Sequence, residues 1–298
     1  MRITFHLKAA ACVAALALAP LGAGAVTLGA YHVLPLPAYY AKTGRLPPGG
    51  GDGPVYYYGG SVFSNVKVVS VIWNADVLQN TKDQIPFLSA ALVNSTYIDQ
   101  MAEYSTLGQK AVNGRRSTKQ TIGRGSYFGQ VQLTPHNTSK QLSDADIQAE
   151  LKQQIRRGAL PPRDANTLYM IYFPSDISIN LDGLVSCQQF GAYHFATKDT
   201  RLARHTNIFY SVEPECNAGF DYLTYAASHE FAEAVTDNVP TPGNVPDFPQ
   251  AWNDVNGEEV GDLCPVTGTL SDGANSWTVT QIYLNSLGGC SSGNYTSP

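Results

Sequence analysis

The sequence has 298 residues, a formal net charge of −5, and 14% charged against 43% hydrophobic residues. A chain this acidic argues against a nucleic-acid partner, which wants a basic face. The length suffices for one large core or two small ones.

Residues 1–25 predict a cleaved secretory signal. Arg2 and Lys8 give a positive start, the apolar run Ala9 to Ala19 follows, Pro20 and Gly22 break it, and Ala23-Gly24-Ala25 supplies a small-x-small site with cutting after Ala25. The run is too short to span a bilayer, and an uncleaved anchor is the weaker alternative. The expectation is an extracellular or periplasmic protein with no membrane contact after cleavage. Loss of Arg2 and Lys8 takes the formal charge from −5 to −7.

Cys12 leaves with the signal. Cys187, Cys216, Cys264 and Cys290 remain, an even number suited to an oxidising compartment. Of the three possible pairings, Cys187–Cys216 and Cys264–Cys290 each close a local loop, worth about 3 kcal/mol in the chain-entropy account. A metal-thiolate site is the alternative, without a CxxC pair to favour it.

Residues 26–60 form a Pro-, Gly- and Tyr-rich segment, expected to be irregular and to pack through Tyr56, Tyr57 and Tyr58. Val66 to Trp73 is β-branched and apolar, as in a central strand. Asp83 to Tyr104 has helical spacing at Ile85, Leu88, Leu92 and Ile98. Ser126 to Leu133 is a further strand. Ser143 caps a helix over Asp144 to Arg157 that Gly158 ends, with Asp144 and Asp146 in the first turn and Arg156 and Arg157 in the last. Thr167 to Phe173 is a buried-type strand. Gly191 to Thr197 and Asn207 to Glu213 are two more, joined by the polar loop Lys198 to Thr206. Phe220 to Thr236 is helical, and a Pro- and Gly-rich tail with a short strand near Ser276 to Leu284 follows. The expected fold is α/β: a single domain over residues 61–298, with a mixed sheet flanked by helices, a zincin-like active-site helix and disulfide-stabilised C-terminal loops.

The chemistry concentrates in Ser228-His229-Glu230-Phe231-Ala232-Glu233. His229 and Glu233 are four apart and share a helix face. This is the spacing of the HExxH zinc helix with glutamate at the second ligand position, where an oxygen donor also serves. More oxygen in the set loosens selectivity for zinc and admits manganese or calcium. Glu230 would take the proton of the activated water. For the third ligand, Glu259 ranks first, Asp262 second and Asp237 third. Tyr193 and His194 are candidates for oxyanion stabilisation if their strand lines the cleft, although His194 is more readily a hydrogen-bonded strand histidine than a ligand. A solvated polar helix face is the plain alternative for Glu230, Glu233 and Asp237. Nothing singles out His32, His136 or His205, and without a GxSxG elbow a serine triad has no support.

The segments Ser64 to Val69, Cys187 through His194, Ser228 to Asp237 and Gly261-Asp262-Leu263-Cys264 together resemble a family of secreted bacterial proteins with an SHExxEAxTDP helix followed by a tryptophan and a GEIGDLC segment. That family is distantly similar to the plant phosphate-induced, EXORDIUM-type extracellular proteins. The likeness runs from about Gly59 to Cys290. It implies secretion, a shared α/β fold and a metal-dependent hydrolase site. Asn238 stands where the family has proline, and Glu258 adds an acid before Glu259, which leaves the third ligand open. The plant proteins act in the cell wall without an established catalytic site. Two functions follow as expectations: a secreted metallopeptidase-like hydrolase acting on protein or peptide, or a non-catalytic extracellular or cell-wall-associated binding protein whose acidic cluster is structural. The sequence does not indicate an oligomeric state.

Overall fold

The computed structural model describes residues 33–36, 53–199, 207–241 and 245–293. The expected signal segment, His32 and His205 lie outside the described residues. In chain order the strands are β1 (Leu34–Pro35), β2 (Tyr56–Tyr57), β3 (Asn65–Ile72), β4 (Gly123–Gln132), β5 (Gln141–Ser143), β6 (Thr167–Phe173), β7 (Ser178–Leu181), β8 (Leu184–Val185), β9 (Phe190–Lys198), β10 (Asn207–Pro214), β11 (Trp252–Asn253), β12 (Thr267–Ser271), β13 (Ser276–Thr280), β14 (Ile282–Leu284) and β15 (Gly289–Ser291). The helices are α1 (Gln79–Val93), α2 (Thr96–Asp99), α3 (Asp144–Arg157) and α4 (Phe220–Thr236), with a 3₁₀ turn over Gln100–Tyr104.

The main sheet has the order β1-β9-β10-β6-β3-β4. β4, β3, β6 and β10 run parallel to one another, whereas β9 is antiparallel to β10 and β1 is antiparallel to β9. The sheet is therefore mixed, as expected. Alternation along each strand sorts residues between two cores. Val66, Val68, Ile72, Leu168, Met170, Tyr172 and Phe209 share one core with α1 and α4. Val69, Val71, Tyr169, Ile171, Phe173, Tyr193, Tyr210 and Val212 share the other with Ile147, Leu151 and Ile155 of α3. Along β9 this parity sends Tyr193 and His194 to opposite faces.

Local chemistry explains most boundaries. Ser143 and Asp146 form a reciprocal capping box on α3, and Gly158 ends the helix in a left-handed conformation (φ 75°). The expected helix Asp83 to Tyr104 is corrected: α1 begins at Gln79 and stops at Val93. Ser95 there accepts a hydrogen bond from the Tyr97 N–H and starts a separate short helix. The expected strand Ser276 to Leu284 divides at Gln281, because β13 pairs with β12 and β14 with β15. Within residues 26–60, Leu34–Pro35 pairs with β9 and Tyr56–Tyr57 with β11, so short strands do occur. Tyr57 is buried against Trp252, with ring centroids 5.4 Å apart. Both expected disulfides are present, with Cα atoms 4.8 Å apart for Cys187–Cys216 and 5.7 Å apart for Cys264–Cys290.

Candidate metal centre

α4 combines four alanines with large apolar residues, a composition that favours helix and allows close approach to the sheet. Gly191 of β9 assists, since a Cβ there would overlap the Tyr222 hydroxyl. On its other side α4 is tied to β13: the Thr280 N–H donates to Ser228 Oγ (2.8 Å) and the Thr224 hydroxyl to the Thr278 carbonyl (2.7 Å). Every residue from Ala226 to Thr236 is consequently buried. His229, Glu230 and Glu233 are at most 2% exposed, which rules out a solvated polar face.

The third side of the site is the segment Glu258 to Cys264. Val260 and Leu263 insert into the core shared with α1 and α4, while Glu259 reaches His194 of β9 and Asp262 reaches His229 of α4. Asp254 Oδ1 accepts from the N–H groups of Asn256 (2.7 Å) and Glu258 (2.9 Å), forming the turn that leads in. The Cys264–Cys290 bridge fixes the exit. The Asp262 N–H donates to Glu233 Oε1 (3.1 Å), joining segment and helix directly. Gly261 permits this approach, because a Cβ there would stand 2.7 Å from His229 Nδ1 and 2.8 Å from Glu233 Oε1.

His229 Nε2 lies 3.0 Å from Glu233 Oε1 and 3.6 Å from Asp262 Oδ1. One donor atom from each of the three falls within 4.8 Å of the others. A tetrahedron with 2.1 Å bonds has edges of roughly 3.4 Å, so these separations suit a shared cation. Asp262, ranked second from sequence, is the residue that meets His229 and Glu233. Glu259, ranked first, instead joins Glu233 and His194, its Oε1 standing 3.6 Å from His194 Nε2. Asp237 is occupied elsewhere: Oδ2 accepts from Asn253 Nδ2 (2.8 Å) and Oδ1 from the Val239 N–H (3.3 Å).

His194 belongs to the cluster. Its Nε2 donates to the Asp237 carbonyl (3.1 Å), and its Nδ1 lies 3.1 Å from Glu230 Oε2 and 3.8 Å from Glu233 Oε2. Tyr193 does not belong. It faces the α3 core, where its hydroxyl donates to Asp144 Oδ1 (2.8 Å), so strand parity removes it from any role at the cluster. Glu213, which no sequence motif singles out, is wholly buried on the same sheet face as His194, and neither carboxylate oxygen has an aligned hydrogen-bond partner among the described residues. Its signal was register: Ser211 pairs directly with His194, so Glu213, two residues on, shares that face.

Burial in this crowd of acids governs the electrostatics. It raises the carboxyls of Glu230 to about 8, against the opposing pull of His229, and of Glu233 to about 7, with Asp262 adding to the rise. Glu259, beside Glu233, and Glu213, beside Glu230, are pushed well up. Burial lowers His194. It also works against charge on His229, but Glu233, Asp262 and Glu230 outweigh it and lift the ring well above its ordinary value. Among the described residues, both oxygens of Glu259 and Oε1 of Glu230 nevertheless meet no hydrogen-bond partner, and neither ring nitrogen of His229 is aligned with an acceptor. Orphaned donor atoms converging in a buried, acid-rich site fit a divalent cation.

Comparison of the chain with protein-family models, curated proteins and solved structures finds no match in any of the three.

Proposed function

We propose that the protein is a secreted metal-dependent hydrolase of peptidase type. His229, Glu233 and Asp262 hold a divalent cation, zinc first among the candidates, and Glu230 is the proton acceptor on a zincin-like helix. The observation that carries this reading is the convergence of those three buried side chains, without hydrogen bonds to His229, around one point. A cation so held supplies Lewis-acid activation of water and carbonyl. Glu230 follows His229 by one residue, about 100° round the helix, and keeps Oε1 free while Oε2 faces His194. His194, anchored on the Asp237 carbonyl, places Nδ1 3.1 Å from Glu230 Oε2. The resemblance of the helix and the GDLC segment to secreted bacterial proteins supports the same reading.

A second reading, a non-catalytic extracellular or cell-wall-associated binding protein stabilised by the ion, is favoured by the depth of the site, where Asp262 is the most exposed of the three ligands at 6%. Hydrolysis of casein and of a peptide library separates the two. A hydrolase loses turnover on chelation and regains it with zinc. A protein that carries its metal and cleaves nothing supports the second reading.

A further inference from the structure

Two trios of donors converge in the cluster, and they share only Glu233: His229, Glu233 and Asp262, and His194, Glu233 and Glu259. We propose that the centre is dinuclear, with Glu233 bridging two divalent cations. This inference rests on the metal-centre reading above and extends it.

Glu233 turns its two oxygens in different directions. Oε1 lies 3.0 Å from His229 Nε2, and Oε2 lies 3.8 Å from His194 Nδ1. A carboxylate offering one oxygen to each of two histidines has the arrangement of a bridge between ions about 3.5–4 Å apart. His194 is prepared for this role. The Asp237 carbonyl only accepts, so the ring carries its proton on Nε2 and directs the Nδ1 lone pair toward Glu230 and Glu233. A backbone carbonyl that fixes the far nitrogen in this way is the usual support of a histidine ligand.

Glu259 supplies the independent observation. It is wholly buried, and neither oxygen accepts a hydrogen bond from any of the described residues. Among the described residues its ion-pair partner is His194, 3.6 Å away at Nε2, the nitrogen that already donates to the Asp237 carbonyl. One cation in the first trio leaves the two oxygens of Glu259 buried without a partner, a costly arrangement. A second cation in the second trio supplies that partner. Its donors, one nitrogen and carboxylate oxygens, suit zinc and manganese alike.

The test uses the secreted protein saturated with zinc and dialysed against zinc-free buffer. Plasma mass spectrometry counts zinc per chain, and an anomalous difference map at the zinc edge locates it. The expected result is two zinc ions per chain and two peaks about 3.5–4 Å apart on either side of Glu233. Glu259→Gln and His194→Gln each lower the count to one and keep the peak between His229 and Asp262. A wild-type protein with one zinc and one peak beside His229 and Asp262 overturns the dinuclear centre while the mononuclear reading stands. A protein that holds no zinc overturns both. Should either variant fail to fold, the wild-type count and map decide the question alone.

Discussion

Glu233 Oε1 stands 3.0 Å from His229 Nε2, one helical turn away, yet neither ring nitrogen of His229 is aligned to make a hydrogen bond. An i, i+4 histidine–glutamate pair left to itself closes into a charge-assisted hydrogen bond. Here both atoms instead face Asp262, which approaches from a separate segment. The acids around His229 lift its ring well above the ordinary value despite burial, so the site favours positive charge.

Glu230→Gln and Glu233→Gln are expected to fail differently. The first keeps shape and metal content but cannot accept the proton, so kcat should fall by about 10²–10⁴. The second removes an anionic ligand, so zinc affinity should fall first and turnover with it. Kinetics and metal content measured side by side distinguish them. Equal loss of stability in both, with no activity in either or in wild type, would favour a purely structural cluster.

Gly261→Ala probes the close approach of segment and helix. The added Cβ meets His229 Nδ1 at 2.7 Å and Glu233 Oε1 at 2.8 Å, so the segment carrying Asp262 must retreat. Overpacking of this kind costs about 1–3 kcal/mol, and zinc affinity in a competition titration should drop by roughly 10–100-fold. An unchanged affinity would show that the segment does not close the site.

Tyr193→Phe tests strand parity. Its hydroxyl serves Asp144 on the α3 side, which also accepts from Tyr210 (2.7 Å). The substitution should lower stability by about 1 kcal/mol and leave metal binding and turnover unchanged. A fall in turnover at full metal content would return Tyr193 to the site.

Much of this architecture is legible in local sequence. Ser143, Asp146 and Gly158 mark α3 by their chemistry, and the β-branched runs at Val66 and Thr167 mark buried parallel strands. The break at Asn94 and Ser95 was missed because Ile85, Leu88, Leu92 and Ile98 keep a helical spacing across it, while the cap on Tyr97 is a local competitor. At the site, His229 and Glu233 follow from helix periodicity alone. The preference for Asp262 over Glu259 at His229 does not, because it depends on how the turn at Gly261 presents two acids three residues apart. His194 and Glu213 depend on strand register, a non-local property. A hint for His194 lay in Ala192 and Ala196, the small neighbours on its own face, which leave room for the helix.

Chelation should make stability depend more strongly on pH. The carboxyls of Glu230, Glu233 and Asp237 are raised chiefly by burial, to about 8, about 7 and about 7. The metal-free fold therefore holds protons that the unfolded chain has released. Their contribution is full below the ordinary carboxylate range and is lost as pH rises through about 7 to 8. His229, also raised, adds to the same trend, and His194, lowered, opposes it at acid pH. Thermal melts of chelated protein should fall in Tm across that window, whereas zinc-loaded protein should fall less, because the cation stabilises the ionised carboxylates. Parallel pH curves with and without zinc would contradict the account.

The most direct test of the metal centre is X-ray absorption at the zinc edge on dialysed, zinc-loaded protein, comparing wild type with His229→Ala and Asp262→Asn. The account predicts nitrogen and oxygen neighbours at about 2.0–2.2 Å, no sulfur, and imidazole scattering that weakens in His229→Ala. Asp262→Asn should retain less zinc than wild type. A wild-type protein that loses its zinc on dialysis, or whose zinc spectrum is the same in all three proteins, would contradict it.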